Sequence, residues 1–200
     1  MNHTTIIIAI TVIISMLAWQ NSTLFNQLIF QPSKVGQGGL HRFITHGFIH
    51  ADGQHLLFNM FTMYFFGRSV EPFFNHYVNG FGFIVFYLFA IIAAIIPTYI
   101  NNKNRHRYRS LGASGGVSAV LFSYILMAPW STLLIFFVPM PAIIFAVLYV
   151  AYSIYAGKKG GSNINHSAHL WGAAFGIVAT IAIEPNIIPH FISALLNPSF

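Results

Sequence analysis

The residues GASGGVSAVLFSYILMAP, from Gly112 to Pro129, set a serine among glycines at the start of an apolar run. A basic segment, KNRHRYRS at 103–110, comes directly before them. Glycine tolerates turns that other residues avoid, and a serine hydroxyl is a candidate nucleophile. The pattern raises two questions: what solvent surrounds this helix, and what Ser114 does at its start.

The composition answers the first question, because the chain has too few polar side chains to cover a water-soluble surface. Of its 200 residues, 56% are hydrophobic and 6% are charged, and the mean hydropathy is +0.68. Apolar runs recur from end to end without a linker or internal repeat, so we predict one membrane domain over 1–200. The absence of cysteine excludes disulfides and thiol chemistry, and no motif predicts a cofactor.

Six segments approach the roughly 20 apolar residues that a helix needs to cross a bilayer. We predict spans at 4–19, 55–71, 77–100, 114–127, 139–156 and 168–183. The first segment lacks a basic region and a signal-peptidase site, and we expect it to be a retained helix. Pro139 and Pro141 are expected to kink or delay the fifth span.

The long connection at 20–54 has an amphipathic piece, LFNQLIF, and a Gly-rich turn, GQGG. It lacks an apolar run of span length, so we expect it to lie partly in the membrane interface. The predicted fold class is an all-α polytopic membrane protein, a bundle of six transmembrane helices with a long membrane-associated first loop.

Four polar side chains lie near the starts of the second, fourth and sixth predicted spans. His55 and Asn59 are four residues apart on one helix face, while Ser114 and His169 each stand in a first helical turn. Since successive spans run in opposite directions, these three helix starts lie on the same side of the membrane. Polar groups at such a depth are costly without a partner or water, so we expect the four to form one site.

Small residues predict which helices carry this site. Two helix faces combine small residues with one of the polar side chains: His169, Gly172, Ala173 and Gly176 on the sixth span, and Ser114, Gly115, Ser118 and Ala119 on the fourth. Such faces let helices approach closely in lipid, which would bring His169 to Ser114. A neutral imidazole within reach of a hydroxyl is the minimum apparatus for nucleophilic catalysis. The glycines beside Ser114 allow a sharp turn that exposes its amide.

None of the three carboxylates of the chain is placed to complete a catalytic triad. Glu71 and Glu184 fall about 18 and 22 Å along their helices from the polar cluster, toward the opposite membrane face. Asp52 comes just before the second span and is predicted to cap that helix. The sequence therefore favours a Ser–His dyad, a simplification of the triad.

Three motifs together resemble those of the rhomboid family, the intramembrane serine proteases. They are GASG at the start of the fourth span, AHLWGAAFG at the start of the sixth and HADGQHLLFN at the start of the second. The resemblance covers nearly the whole chain. It implies a rhomboid-like bundle in which Ser114 is the nucleophile and His169 the general base, then acid. It also implies that His55, Asn59 and the Ser114 amide bind the oxyanion.

The resemblance extends to the surroundings of the site. It implies a first loop that dips into the membrane, a fifth helix that borders a lateral opening, and transmembrane proteins as substrates. His41-Arg42 stands where the first loop often has Trp-Arg, and Ser118 stands where some members have a tyrosine that packs on the catalytic histidine. The family pattern hints that His50 braces the first loop. The candidates for a substitute aromatic are Tyr124, Tyr152 and Trp171.

Other interpretations stay open. His46, His50 and His55 have helix-like spacing and could ligate a metal in a transporter or zinc protease, although the glutamate of a His-Glu-x-x-His site is missing. An inactive rhomboid-like binder of transmembrane helices would be expected to lack the serine or the histidine. His55 and Asn59 could be a structural hydrogen-bonded pair. The soluble-hydrolase elbow is rejected, because a basic loop stands where it needs a strand.

The net charge of +6 comes mostly from short loops, which favours contact with lipid headgroups over nucleic acid. The positive-inside rule would place the mouth of the site in the cytoplasm, whereas bacterial rhomboids usually open outward. We favour the outward mouth, because basic loops also contact lipid phosphates or substrate. We predict a multi-pass protein of a bacterial inner (cell) membrane, and the sequence indicates no oligomeric state. The loop cations on the site's side are Lys34, Arg42, Lys103, Arg105, Arg107, Arg109, Lys158 and Lys159, against Arg68 on the other.

Overall fold

A computed structural model describes residues 2–135, 137–161 and 164–198, and most of them are helical. A 3₁₀ turn at His46–Phe48 and a π-helical turn at Met63–Gly67 supplement the α-helices. In chain order the helices are α1 His3–Gln20, α2 Ser22–Leu28, α3 Pro32–Val35, α4 Arg42–Thr45, α5 Gly53–Thr62, α6 Arg68–Tyr77, α7 Gly82–Asn102, α8 Ser114–Met127, α9 Ala142–Lys159, α10 His166–Ile183 and α11 Ile187–Leu196.

Among the described residues, four helices are long and apolar enough to cross a membrane, namely α1, α7, α9 and α10. They coincide, to within a few residues, with the predicted first, third, fifth and sixth spans. The predicted second span falls in the continuous helical run formed by α5, the π-helical turn and α6. The predicted fourth span is α8, whose 14 residues are short for a helix that faces lipid.

The first connection folds into α2, α3, α4 and the 3₁₀ turn, which lie between α1 and α5. Arg42 holds it together from a buried position, because its guanidinium donates to the carbonyl oxygens of Asn26 at 2.9 Å and Ile29 at 2.5 Å. Ile29 and Ile49 pack with Ala18 of α1 in one apolar cluster. The connection is thus anchored both to itself and to α1.

The described residues contain two features that the sequence did not predict, a β-hairpin and a further helix. An antiparallel hairpin of β1 (Thr132–Ile135) and β2 (Val138–Pro141) joins α8 to α9. The predicted delay of the fifth span is confirmed, because Pro139 and Pro141 lie in β2 and α9 begins only at Ala142. The apolar helix α11 also follows α10, where no element was predicted.

The two small-residue faces pack together, as predicted. Most side chains of α8 are buried, and its neighbour across this contact is α10. A Cβ placed on Gly172 would lie 2.0 Å from the carbonyl oxygen of Gly115, and one on Gly176 would lie 2.2 Å from that of Ala119. Only glycine permits these distances, so the two backbones are in direct contact.

Glu71 of α6 caps the start of α1 across the bundle. Its carboxylate accepts hydrogen bonds from the amides of His3 at 2.7 Å and Thr4 at 2.9 Å, and from the Thr4 hydroxyl at 2.7 Å. These amides belong to the first turn of α1, where the helix itself offers no acceptor. The buried carboxylate also matches the positive end of the helix dipole.

We expect Glu71→Gln to lower the free energy of unfolding by about 1–3 kcal/mol, because charged hydrogen bonds are replaced by a neutral amide. Thermal melting in detergent measures this loss. Glu184→Gln is the control: that carboxylate is half-buried and accepts from Tyr77 at 2.5 Å, so its loss should change the melting temperature less than the loss of the buried Glu71 carboxylate. Equal melting temperatures for the Glu71 variant and the wild type would contradict the capping role.

Candidate active site

A sharp turn delivers Ser114 to the first position of α8. Gly112 has a φ of +109°, in the region that favours glycine, and its amide donates to the carbonyl oxygen of His46 at 2.9 Å. A Cβ on Gly112 would lie 2.6 Å from the imidazole of His55. The next amide, that of Ala113, donates to Nε2 of His50 at 3.2 Å. The turn is therefore held by hydrogen bonds to His46 and His50 of the first connection, and it packs against His55 of α5.

His50 joins three parts of the chain, in line with the predicted bracing role. Its Nε2 accepts from Ala113, so the remaining proton lies on Nδ1, which donates to the Ser15 hydroxyl of α1 at 3.1 Å. Its carbonyl oxygen accepts from the indole of Trp19 at 2.8 Å. Burial, with a smaller contribution from His55, lowers the pKa of His50 to about 3, so this imidazole stays neutral.

Asn165 places His169 at the start of α10. Its side-chain oxygen accepts from the amide of Ala168 at 3.1 Å and so caps the helix. Its side-chain nitrogen donates to the hydroxyls of Thr98 at 3.0 Å and Ser110 at 3.2 Å. One side chain thereby fixes the first turn of α10 against α7 and the loop before α8.

The structure brings the four predicted site residues to one cavity of about 770 Å³. Ser114 and His169 are half-buried on its wall, and His55 and Asn59 line it from α5. A Cβ on Gly115 would lie 3.5 Å from the Ala168 carbonyl oxygen, so the first turns of α8 and α10 touch. Among the described residues, no hydrogen bond joins the Ser114 hydroxyl to His169. Their juxtaposition therefore rests on the shared cavity and the helix contact.

Several donors converge on the cavity beside Ser114. The first amides of α8 have no acceptor within the helix, and residues 114–116 line the cavity. The side-chain nitrogen of Asn59 donates one hydrogen to the His55 carbonyl oxygen at 2.9 Å, which leaves its second hydrogen for another acceptor. The imidazole of His55 lies edge-on to that of His50, with centroids 4.9 Å apart. Such a set of donors suits a developing negative charge.

The carboxylates lie as the sequence predicted. Asp52 caps α5 by accepting from the amide of His55 at 2.8 Å, which confirms its predicted role. Glu71 and Glu184 are engaged with α1 and Tyr77, away from His169. The described residues include no group of three His, Asp or Glu side chains arranged to hold a metal. The metal interpretation also loses one of its three ligands, since both ring nitrogens of His50 have other partners.

The aromatic neighbour of His169 is one that the sequence analysis missed. Tyr149 of α9 stacks on the imidazole, with ring centroids 6.0 Å apart. The three predicted candidates have other surroundings: Tyr124 packs on Phe66, the ring of Tyr152 meets that of His166 edge-on, and Trp171 is largely exposed. No motif marks Tyr149, because it lies on a different helix.

His166 is a second neighbour that the sequence motifs do not mark. It is the first residue of α10 and is buried. Its ring meets that of His169 edge-on, with centroids 5.9 Å apart. It thus belongs to the immediate surroundings of the candidate site.

The four long apolar helices among the described residues are those of an integral, multi-pass membrane protein. A family profile described as "Rhomboid domain" matches residues 37–185. The chain belongs to the rhomboid family, which confirms the resemblance drawn from the three motifs.

Similar proteins come from plants and animals. The chain is 33% identical over 175 residues to "RHOMBOID-like protein 12, mitochondrial" of Arabidopsis thaliana, covering 80% of this chain and 52% of that protein. It is 30% identical to "Rhomboid-like protein 11, chloroplastic" of the same plant, covering 69% and 50%. It is 32% identical to "Presenilin-associated rhomboid-like protein, mitochondrial" of Homo sapiens, covering 65% and 34%. The chain spans about half the length, or less, of these curated relatives.

Proposed function

We propose that this protein is an intramembrane serine endopeptidase that hydrolyses peptide bonds in or beside transmembrane segments of other membrane proteins. The observation that carries the proposal is the contact of the first turns of α8 and α10 at one cavity, with Ser114 on one turn and His169 on the other. Membership of the rhomboid family supports the same activity.

The proposed reaction uses the dyad as nucleophile and base. The Ser114 hydroxyl attacks the substrate carbonyl carbon while His169 takes its proton, and the resulting oxyanion receives hydrogen bonds from Asn59, His55 and the Ser114 amide. His169 then gives the proton to the departing amine as the C–N bond breaks. Water, deprotonated by His169, attacks the acyl-enzyme and releases the second product and the free serine. No cofactor enters this sequence.

A transmembrane substrate requires one further step. Its carbonyl groups are held in helical hydrogen bonds, so the segment must unwind locally before Ser114 reaches a peptide bond. The proposed partners are therefore transmembrane substrates and the surrounding lipids. The six-span topology, the single domain over 1–200 and the outward mouth belong to this proposal. So does the bacterial cell membrane, which gains no support from the mitochondrial and chloroplastic names of the relatives.

The test is covalent labelling by a fluorophosphonate probe, which reacts with an activated serine. We expect the purified wild type to be labelled and Ser114→Ala not to be, because the probe needs the nucleophile and its base. Ser69→Ala, at an exposed serine of α6, is the control and should be labelled fully. A folded wild type that resists labelling would instead favour an inactive binder of transmembrane helices.

A further inference from the structure

Tyr149 contacts one member of the candidate dyad directly and reaches the other through a single serine. Its ring lies nearly parallel to the imidazole of His169, with centroids 6.0 Å apart and 21° between the planes. Its hydroxyl oxygen lies 2.5 Å from Oγ of Ser118. The Ser118 hydroxyl in turn donates to the carbonyl oxygen of Ser114 at 2.7 Å. Tyr149 and Ser118 together therefore link the base to the backbone of the nucleophile.

The direction of these hydrogen bonds follows from the available hydrogens. A serine hydroxyl has one hydrogen, and that of Ser118 goes to the Ser114 carbonyl oxygen, which is only an acceptor. Tyr149 must therefore donate to Ser118. The hydroxyl of Tyr149 is then committed to α8, and what it offers His169 is the face of its ring.

Packing holds that ring in place. Tyr149 contacts Phe122 of α8, with ring centroids 5.5 Å apart, and Phe145 of its own helix, with centroids 5.7 Å apart. It also lines the cavity. Most of α9 faces away from the protein interior, since its buried residues are Ala142, Ala146 and Ser153. Tyr149 thus connects α9, a largely exposed helix, to the candidate active site.

We propose that Tyr149 is a positioning residue that sets the candidate base relative to the candidate nucleophile. The ring restricts the imidazole of His169 to one plane, and the hydroxyl ties that ring to the first turn of α8 through Ser118. The inference rests on the proposed function. Its expected size follows from geometry, because a misplacement of about 1 Å between reacting groups can lower a rate about 10²-fold.

The test separates the ring from the hydroxyl in the full-length chain, with the rate of fluorophosphonate labelling as the readout. We expect Tyr149→Leu to lower the maximal labelling rate, kinact, about 10- to 100-fold with little change in KI, because the base and not probe binding is disturbed. Tyr149→Phe keeps the ring and should lower kinact about two- to tenfold, as for one hydrogen bond. Ser118→Ala should lower kinact by a similar factor. The double variant Tyr149→Phe/Ser118→Ala should be no slower than either single variant, because both changes break the same chain of hydrogen bonds.

Tyr155→Leu is the matched control, since Tyr155 lies on the exposed part of α9 beside Lys159 and should label like the wild type. Melting temperatures are recorded for every variant. A Tyr149→Leu protein that labels at the wild-type rate, or slows only by its unfolded fraction, would overturn the inference. So would a Tyr149→Phe protein as slow as Tyr149→Leu, since the ring would then contribute nothing. Failure of the wild type to label would overturn the proposed function itself, so the two failures are distinct.

Discussion

Ser114→Ala and His169→Ala are each expected to abolish cleavage of a transmembrane reporter, lowering the rate by roughly 10⁴–10⁶, while the protein still folds. The first change removes the candidate nucleophile and the second removes the candidate general base, so each leaves binding without chemistry. The losses should not add in the double variant, because the pair acts as one unit. The measurement is turnover by purified protein, with the melting temperature taken on the same preparation.

The controls use the same residue types outside the cavity. Ser69→Ala and His106→Ala remove an exposed serine and an exposed histidine, and both should leave turnover unchanged. A pure Ser114→Ala protein that retains a substantial fraction of wild-type turnover would rule out the dyad. Loss of turnover together with loss of the melting transition would mean that the residue supports folding.

Much of the fold and of the candidate site could be predicted from patterns within single helices. The pairing of α8 with α10 was predictable because Gly172 and Gly176 recur at helical spacing from His169, and only small residues allow helices to touch in lipid. The capping of α5 by Asp52 was predictable because its hydrogen bond joins residues only three positions apart in the sequence. The alternation expected of membrane helices predicted one common side for the remaining polar residues, and the structure has them at one cavity.

The unpredicted features depend on contacts between distant residues. Tyr149 lies 20 residues before His169 on another helix, and no spacing rule selects it over Tyr124 or Tyr152. Asn165 joins α10 to Thr98 and Ser110 through side-chain bonds that leave no periodic signal. The pairing of β1 with β2 was not predicted, because the two prolines of β2 indicate the delay of a helix but not the structure that precedes it. Local patterns therefore identified the candidate dyad but not the side chains that hold it.

Asn59→Ala is expected to lower the rate of cleavage about 10²- to 10³-fold, the usual loss for one oxyanion donor. The second hydrogen of its side-chain nitrogen is available to the cavity, since only one is used by the His55 carbonyl oxygen. His55→Ala should be equally damaging or worse, because this ring also packs against Gly112 and His50. Labelling of Ser114 by a highly reactive probe should fall less than turnover, because such a probe depends less on oxyanion stabilisation.

A purely structural hydrogen bond between these neighbours predicts a different result. The observed bond from Asn59 to the His55 carbonyl oxygen would then serve only α5, and its loss would lower the melting temperature in detergent. Turnover would fall only in proportion to the unfolded fraction. Leu57→Ala, at an outward-facing position of the same helix, calibrates the effect of a side-chain loss that leaves the cavity intact. A variant of Asn59 or His55 that is destabilised yet fully active when folded removes that residue from the oxyanion site, whereas a stable and slow variant places it there.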